Sequence, residues 1–147
     1  MTHNKSKGFT IIELLVVVAI IAVLASIVLV NVTSYISKGK DASAQGNLAT
    51  LLTNGATFYD SVGSYNGWIT GAGTGDTRYT SVYTALTNAG FTVTATCNVT
   101  NCGGTTSTAW CAQVTLKATT NTYCVDSTGA KVNKAGGTCL VATGTCL

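Results

Sequence analysis

The chain has 147 residues and a formal net charge of +3, from eight basic and five acidic side chains. Charged residues are only 9% of the sequence and proline is absent, whereas an average soluble domain is about a quarter charged. The length allows one small domain and little more. The weak positive charge gives little support to a nucleic-acid-binding role, so we expect no nucleic-acid partner.

Residues suited to catalysis are almost lacking. The only histidine is His3, near the N-terminus. The acidic residues are Glu13 and the scattered Asp41, Asp60, Asp76 and Asp126. Paired carboxylates, nucleophile motifs and phosphate-binding loops are not found in the sequence. We therefore predict that the protein is not an enzyme and uses no cofactor.

The first predicted element is an apolar helix over residues 9–30. The polar residues in this stretch are Thr10, Glu13 and Ser26. At 1.5 Å per residue the helix is about 33 Å long, enough to cross a hydrocarbon core of about 30 Å. Lys5 and Lys7, together with His3, precede it and mark a cytoplasmic flank by the positive-inside rule. We expect this helix to span a membrane.

A cleaved signal peptide is the competing interpretation of this stretch. Val23-Leu24-Ala25 resembles a small-residue cleavage site, and a cut after Ala25 would release a soluble secreted binding module. However, the apolar run continues to Val30, and Glu13 near its start costs about 2.5–3.5 kcal/mol to insert. An export signal gains nothing from such a cost, so we favour a retained helix.

Helical periodicity continues over residues 31–60. Apolar and small residues recur there at three- and four-residue spacing, with polar residues such as Lys38, Lys40 and Asp41 between them. The recurring residues are Val32, Tyr35, Ile36, Gly39, Ala42, Leu48, Leu51, Leu52, Gly55, Ala56 and Tyr59. Without proline, one continuous helix from Phe9 to about Asp60 is predicted. Its amphipathic outer half is expected to pack against the domain that follows.

Residues 61–147 are predicted to form an extracytoplasmic globular domain. A Gly/Ser/Thr loop over Gly63–Thr77 precedes a short helix over Arg78–Ala89, which Asp76 or Thr77 can cap. Alternating patterns then predict strands. They cover Phe91–Thr96, Trp110–Lys117, Asn121–Asp126 and Ala130–Asn133. The predicted fold class is α+β, with a long N-terminal helix packed on a small antiparallel sheet of three or four strands.

The six cysteines all lie in this domain. They are Cys97, Cys102, Cys111, Cys124, Cys139 and Cys146. An even number in the exported part of a short chain indicates disulfides. A metal site is not predicted, because no C-x-x-C pair occurs and the only histidine is distant in sequence. Six cysteines allow 15 connectivities; we expect three bridges between sequence neighbours, Cys97–Cys102, Cys111–Cys124 and Cys139–Cys146.

Residues 5–16 carry the most specific pattern, Lys-Ser-Lys-Gly-Phe-Thr-Ile-Ile-Glu-Leu-Leu-Val. A short basic leader ends in glycine and is followed by phenylalanine, with glutamate four positions later at the start of an apolar run. This pattern resembles the type IV prepilin family, which includes pilins, pseudopilins of type II secretion and competence pilins. The resemblance extends over residues 5–32 in detail and over the remainder in layout only.

The resemblance implies a set of processing and assembly residues. Residues 1–8 would be a cytoplasmic leader that a prepilin peptidase and methyltransferase removes between Gly8 and Phe9, methylating the new amine of Phe9. Glu13 would then serve assembly, because its carboxylate can neutralise that amine within a subunit or between neighbours.

The implied function is that of a structural subunit of a type IV pilus or related filament, for adhesion, motility or uptake. A pseudopilin of a type II secretion system is the alternative within the same class. Implied partners are other pilins in a homo- or hetero-oligomeric filament, the inner-membrane assembly machinery and membrane lipid. The implied location is the bacterial inner membrane, as a single-pass protein, before assembly and an extracellular filament afterwards.

Overall fold

The computed structural model describes residues 8–98, 102, 107–140 and 142–147. They divide into two compact units, Met1–Ile36 and Ser37–Leu147. The helices are α1 (Ile11–Val62) and α2 (Thr77–Asn88). The strands are β1 (Ile69–Gly71), β2 (Thr74–Gly75), β3 (Val93–Cys97), β4 (Trp110–Thr115), β5 (Thr122–Asp126), β6 (Lys131–Lys134), β7 (Cys139–Leu140) and β8 (Thr145–Cys146). The predicted α+β class with a long N-terminal helix is confirmed.

The N-terminal unit consists of the first part of α1 and the residues before it. Its large apolar side chains are exposed on all sides of the helix, from 43% for Val32 to 81% for Ile11. A helix that is apolar all round is stable in lipid or among other helices, rather than in water. This unit therefore presents an apolar surface that something else must cover.

The second unit is built on a four-stranded antiparallel sheet. The strands lie in the order β3-β4-β5-β6, which is also their order in the chain. One face shares a core with the outer part of α1, as predicted. This core includes Ala44, Leu48, Leu51 and Phe58 from the helix, and Trp110, Ala112, Val114, Tyr123 and Val125 from the sheet.

Gly55 allows α1 to lie close to the ring of Trp110. A Cβ atom built on Gly55 would lie 2.8 Å from two atoms of the indole ring, which is closer than a carbon atom tolerates. The Trp110 ring also packs on Trp68, with ring centroids 5.7 Å apart. Glycine at this helical position therefore permits an aromatic core between helix and sheet.

Helix α2 begins and ends close to its predicted bounds. The Asp76 side chain accepts a hydrogen bond from the Arg78 amide at 2.9 Å, as expected of an N-cap residue. The helix buries Tyr79, Val82 and Leu86. Gly90 follows it with φ 80°, a left-handed conformation that glycine adopts readily after a helix.

Two short hairpins were not predicted. Strands β1 and β2 pair within the segment predicted to be a loop, and β7 pairs with β8 near the end of the chain. Each of these strands has only two or three residues. An alternating pattern cannot be recognised over so short a run, which is why the sequence shows neither hairpin.

Burial raises the pKa of Tyr79 to about 12, because desolvation disfavours the phenolate. In the unfolded chain the same group ionises near its ordinary pKa of 10.0. Above this pH the unfolded state has lost a proton that the folded state keeps, so stability falls as pH rises towards 12. We expect the urea midpoint to drop above about pH 10, and the drop to be smaller in Tyr79→Phe. An equal drop in this variant would contradict the assignment.

Candidate functional site

Hydrogen bonds between Thr10 and Glu13 close the N-terminus of α1. The amide and the hydroxyl of Thr10 both donate to Glu13 Oε2, at 2.9 and 2.7 Å. In return the Glu13 amide donates to Thr10 Oγ1 at 3.3 Å. This reciprocal arrangement is a capping box, which satisfies N–H groups that have no partner within the helix. Glu13 therefore has a structural partner within its own chain.

This role of Glu13 was not predicted, although the sequence carries a signal for it. Threonine followed three residues later by glutamate, at the start of an apolar run, is the pattern of a capping box. Both Thr10 bonds fall on Oε2. Within the part of the chain that the structure describes, Oε1 stays available to a further donor.

The predicted cleavage junction precedes the helix. A Cβ atom built on Gly8 would have no other described part of the chain within 4 Å, and Phe9 exposes 78% of its surface. Unpacked backbone of this kind is accessible to a peptidase. The leader residues Lys5 and Lys7 lie outside the described residues.

The apolar part of α1 has the length and composition of a membrane span. Its most apolar 18-residue window has a mean hydropathy of 3.1, and none of that window is buried. A signal sequence near the N-terminus has the same properties, so they do not by themselves distinguish a retained span from a cleaved one. Glu13 lies in the first turn of this helix.

All six cysteines form disulfides in the second unit. The bridges are Cys97–Cys102, Cys111–Cys139 and Cys124–Cys146. Pairing of sequence neighbours is therefore confirmed for the first bridge. It is wrong for Cys111–Cys124 and for Cys139–Cys146.

The strand register explains the two wrong pairings. Cys111 lies opposite Asp126, and Cys124 lies opposite Gln113, so the two cysteines are offset along their neighbouring strands. Cys139 and Cys146 lie opposite each other on β7 and β8, yet each is bonded to the four-stranded sheet. Sequence spacing gives no sign that this hairpin covers the second face of the sheet.

Asp41 on α1 has a role that the helical pattern did not show. Its side chain is only 5% exposed, although the sequence placed it among the polar residues between apolar positions. Its two carboxylate oxygens accept hydrogen bonds from the amides of Lys117 and Ala118, at 2.7 and 2.8 Å. Asp41 thus fixes the turn after β4 against α1. No local sequence signal identifies such a long-range partner.

The titratable side chains of the described residues do not form a cluster of metal ligands, because no three His, Cys, Asp or Glu side chains are grouped there. Burial raises the pKa of Tyr65 and of Tyr123, so both phenols lose their proton less readily than an exposed tyrosine. The features that remain are an apolar helix surface, an open junction and one capped carboxylate, which suit association.

Comparisons with known proteins agree with the N-terminal pattern. Residues 3–29 match the family model of the prokaryotic N-terminal methylation motif. The chain is similar to the type IV major pilin protein PilA of Myxococcus xanthus, with 36% identity over 64 residues, 44% of this chain and 29% of the relative. It is 50% identical over 46 residues to the type IV major alpha-pilin and to fimbrial protein Q of Moraxella bovis, covering 31% of this chain and 29% of each relative.

The aligned part is thus less than a third of the length of each relative, 29% in all three. No solved structure matches the chain. The match to the family model lies at the N-terminus, at residues 3–29, where the capping box and the open junction are found.

Proposed function

We propose that this chain, whose N-terminal segment is of the type IV prepilin family, is a structural subunit of a type IV pilus or a related filament. The observation that supports this most directly is the N-terminal constellation of Gly8, Phe9 and Glu13, within residues 3–29 that match the methylation-motif family. The constellation opens an apolar helix whose surface is exposed in the single subunit. No enzymatic activity is part of this proposal.

Processing is the first step of the proposed function. A peptidase on the cytoplasmic side cuts between Gly8 and Phe9, removes residues 1–8 and leaves residues 9–30 in the membrane. The same cut converts the amide of Phe9 into an amine, which is then methylated. The exposed, unpacked backbone at this junction supports the accessibility that the cut requires.

Assembly then brings the apolar helices of several subunits together. Lateral packing of helices in lipid gains little from hydrophobicity, because lipid tails are as apolar as the side chains. A polar pair between two helices therefore helps to set how far they are shifted along each other. The proposed pair is Glu13 of one subunit with the Phe9 amine of a neighbouring subunit, and the available Oε1 of Glu13 is its acceptor. The other carboxylate oxygen, Oε2 of Glu13, continues to accept the hydrogen bonds from Thr10.

The same proposal assigns a role to residues 31–147. Residues 31–60 continue the helix into the extracytoplasmic domain of residues 61–147, which forms the filament surface. The proposed partners are other pilins, the prepilin peptidase and methyltransferase, the assembly machinery of the inner membrane, and lipid before assembly. Because the similar proteins are named type IV major pilins and a fimbrial protein, we favour a pilus over a secretion pseudopilus.

The mature N-terminus tests the proposal. Mass spectrometry of both the membrane-bound and the secreted protein is expected to find chains that begin with methylated Phe9. Gly8→Leu is expected to leave the precursor uncut, whereas the matched control Ala25→Leu is expected to be processed normally. Chains that begin with Ser26, and a block of processing by Ala25→Leu, would instead support the secreted binding module.

A further inference from the structure

The β7–β8 hairpin is bonded to the sheet by two disulfides that run side by side. Cys139 on β7 is joined to Cys111 on β4, with their Cα atoms 5.6 Å apart. Cys146 on β8 is joined to Cys124 on β5, with Cα atoms 5.8 Å apart. The hairpin thereby covers the face of the sheet that lies away from the aromatic core.

Each cysteine of the hairpin is also held by a hydrogen bond from its own backbone. The Cys139 amide donates to Gln113 Oε1 at 2.6 Å, and the Cys146 amide donates to Asp126 Oδ2 at 2.9 Å. Gln113 follows Cys111 by two residues, and Asp126 follows Cys124 by two residues. Side chains two apart on a strand point to the same face, so each acceptor shares a face with the cysteine to be bonded, and it lies directly across from the other strand cysteine.

Hydrogen bonds within the turn after β5 hold the Asp126 carboxylate in position for this contact. Its side chain is 1% exposed. Oδ1 accepts hydrogen bonds from the amides of Thr128 and Ala130, at 2.9 and 3.3 Å, within the turn after β5. The turn therefore fixes the carboxylate and directs Oδ2 to the Cys146 amide.

Four cysteines allow three pairings, and one of the two alternatives here joins sequence neighbours, Cys111 with Cys124 and Cys139 with Cys146. Cys139 and Cys146 lie opposite each other, and Cys111 and Cys124 lie on the same face of neighbouring strands. These neighbour pairs close loops less than half as long as the 28 and 22 residues of the observed bridges. In a flexible chain, loop closure favours the shorter loops by roughly threefold and sixfold. The unfolded chain is therefore biased towards the wrong pairing.

Apolar packing does little to overcome this bias in the described part of the molecule. The cluster beneath the hairpin consists of the four cysteines themselves, with Val132 packed against them. Before oxidation, the hydrogen bonds to Gln113 and Asp126 are side-chain contacts that hold the hairpin on the sheet, and the backbone of Gly144 also packs closely on Ala109.

We propose that Gln113 and Asp126 determine the disulfide pairing of the C-terminal hairpin. By holding the Cys139 and Cys146 amides, they place each hairpin thiol against the correct strand thiol before oxidation. Each bond then forms by thiol–disulfide exchange, in which the two protein thiols lose two electrons and two protons. A small-molecule or protein disulfide accepts the two electrons and the two protons, and is reduced to two thiols. This role does not depend on the proposed filament function.

Oxidative refolding of the full chain in detergent tests the proposal. The reduced, denatured protein is diluted into reduced and oxidised glutathione, thiols are alkylated at intervals, and bridges are mapped by mass spectrometry. We expect the ratio of observed to alternative pairing to fall about fivefold in Gln113→Met, which has a similar shape but lacks the oxygen. Asp126→Asn, which turns a donor towards the Cys146 amide, should lower it about tenfold or more.

Two matched variants separate pairing from general stability. Gln113→Glu keeps an oxygen at the same position and is expected to preserve the parent pairing within twofold. Asp41→Asn destabilises the domain far from the hairpin and is expected to preserve it as well. Because the bridges are mapped in every trapped species, the readout survives if a variant fails to fold. Unchanged pairing in Gln113→Met, or equal mispairing in Asp41→Asn, would overturn the proposal.

Discussion

Glu13→Val is expected to leave mature, membrane-resident subunit and to reduce the filament yield at least tenfold. The substitution removes the side-chain charge from the membrane span, so the single subunit becomes easier to accommodate in lipid. Assembly nevertheless fails, because the Phe9 amine of an adjoining subunit loses its counter-charge. An uncompensated charge in an apolar bundle is strongly unfavourable. Filament yield is measured by shearing cells and quantifying the subunit against the membrane-bound pool.

Glu13→Gln separates the capping role of Glu13 from its charge. Glutamine can replace glutamate in a capping box, so the hydrogen bonds with Thr10 are expected to persist. The charge, however, is lost as it is in Glu13→Val. We therefore expect Glu13→Gln to assemble as poorly as Glu13→Val. Normal assembly in Glu13→Gln would show that the cap, rather than the ion pair, is what assembly needs.

Processing provides the internal control for both variants. The junction between Gly8 and Phe9 is untouched, so cleavage and methylation are expected to continue. Mature subunit without filaments is thus the expected combination. A normal filament yield from Glu13→Val would mean that helix packing alone sets the register, and accumulation of uncut precursor would place the role of Glu13 before assembly.

The long elements were predictable because their patterns repeat many times. Helix α1 was expected from Phe9 to about Asp60 and is found at Ile11–Val62. The four strands of the main sheet were placed within a few residues, because each has at least four residues in which alternation can be seen. The β7–β8 hairpin has too few residues for such a pattern, and its position depends on distant cysteines.

The candidate site rests on residues that are local in sequence. Gly8, Phe9 and Glu13 lie within six consecutive positions, and their roles in cleavage, methylation and assembly stay predictions. The capping bond between Thr10 and Glu13 was within reach for the same reason. Asp41 differs, since its partners at Lys117 and Ala118 are 76 and 77 residues away.

Like the contact of Asp41, the disulfide pairing depends on residues that are far apart in sequence. A cysteine count predicts bridges but not their connectivity. The register of β4 and β5, and the acceptors Gln113 and Asp126, are the features that distinguish the observed pairing from the pairing of sequence neighbours. These features exist only once the sheet has formed.

Asp41→Asn is expected to lower the free energy of unfolding of the second unit by about 2–3 kcal/mol. The carboxylate of Asp41 satisfies two backbone amides at once, at 2.7 and 2.8 Å. Asparagine keeps one oxygen for one amide and turns an NH2 group towards the other. A buried N–H that loses its acceptor costs about 1–3 kcal/mol, and the loss of the charged acceptor weakens the remaining bond.

The fluorescence of the two tryptophans measures this effect in the intact protein. Trp68 and Trp110 are the only tryptophans of the chain, and both are fully buried in the second unit. A loss of 2–3 kcal/mol is expected to lower the thermal midpoint by about 10 °C or more, since each kcal/mol shifts a small domain by roughly 4–8 °C. The matched control is Asp60→Asn on the same helix, where the side chain is exposed and the expected change is within about 0.5 kcal/mol. Equal midpoints for the two variants would show that Asp41 is not what fixes the turn after β4 against α1.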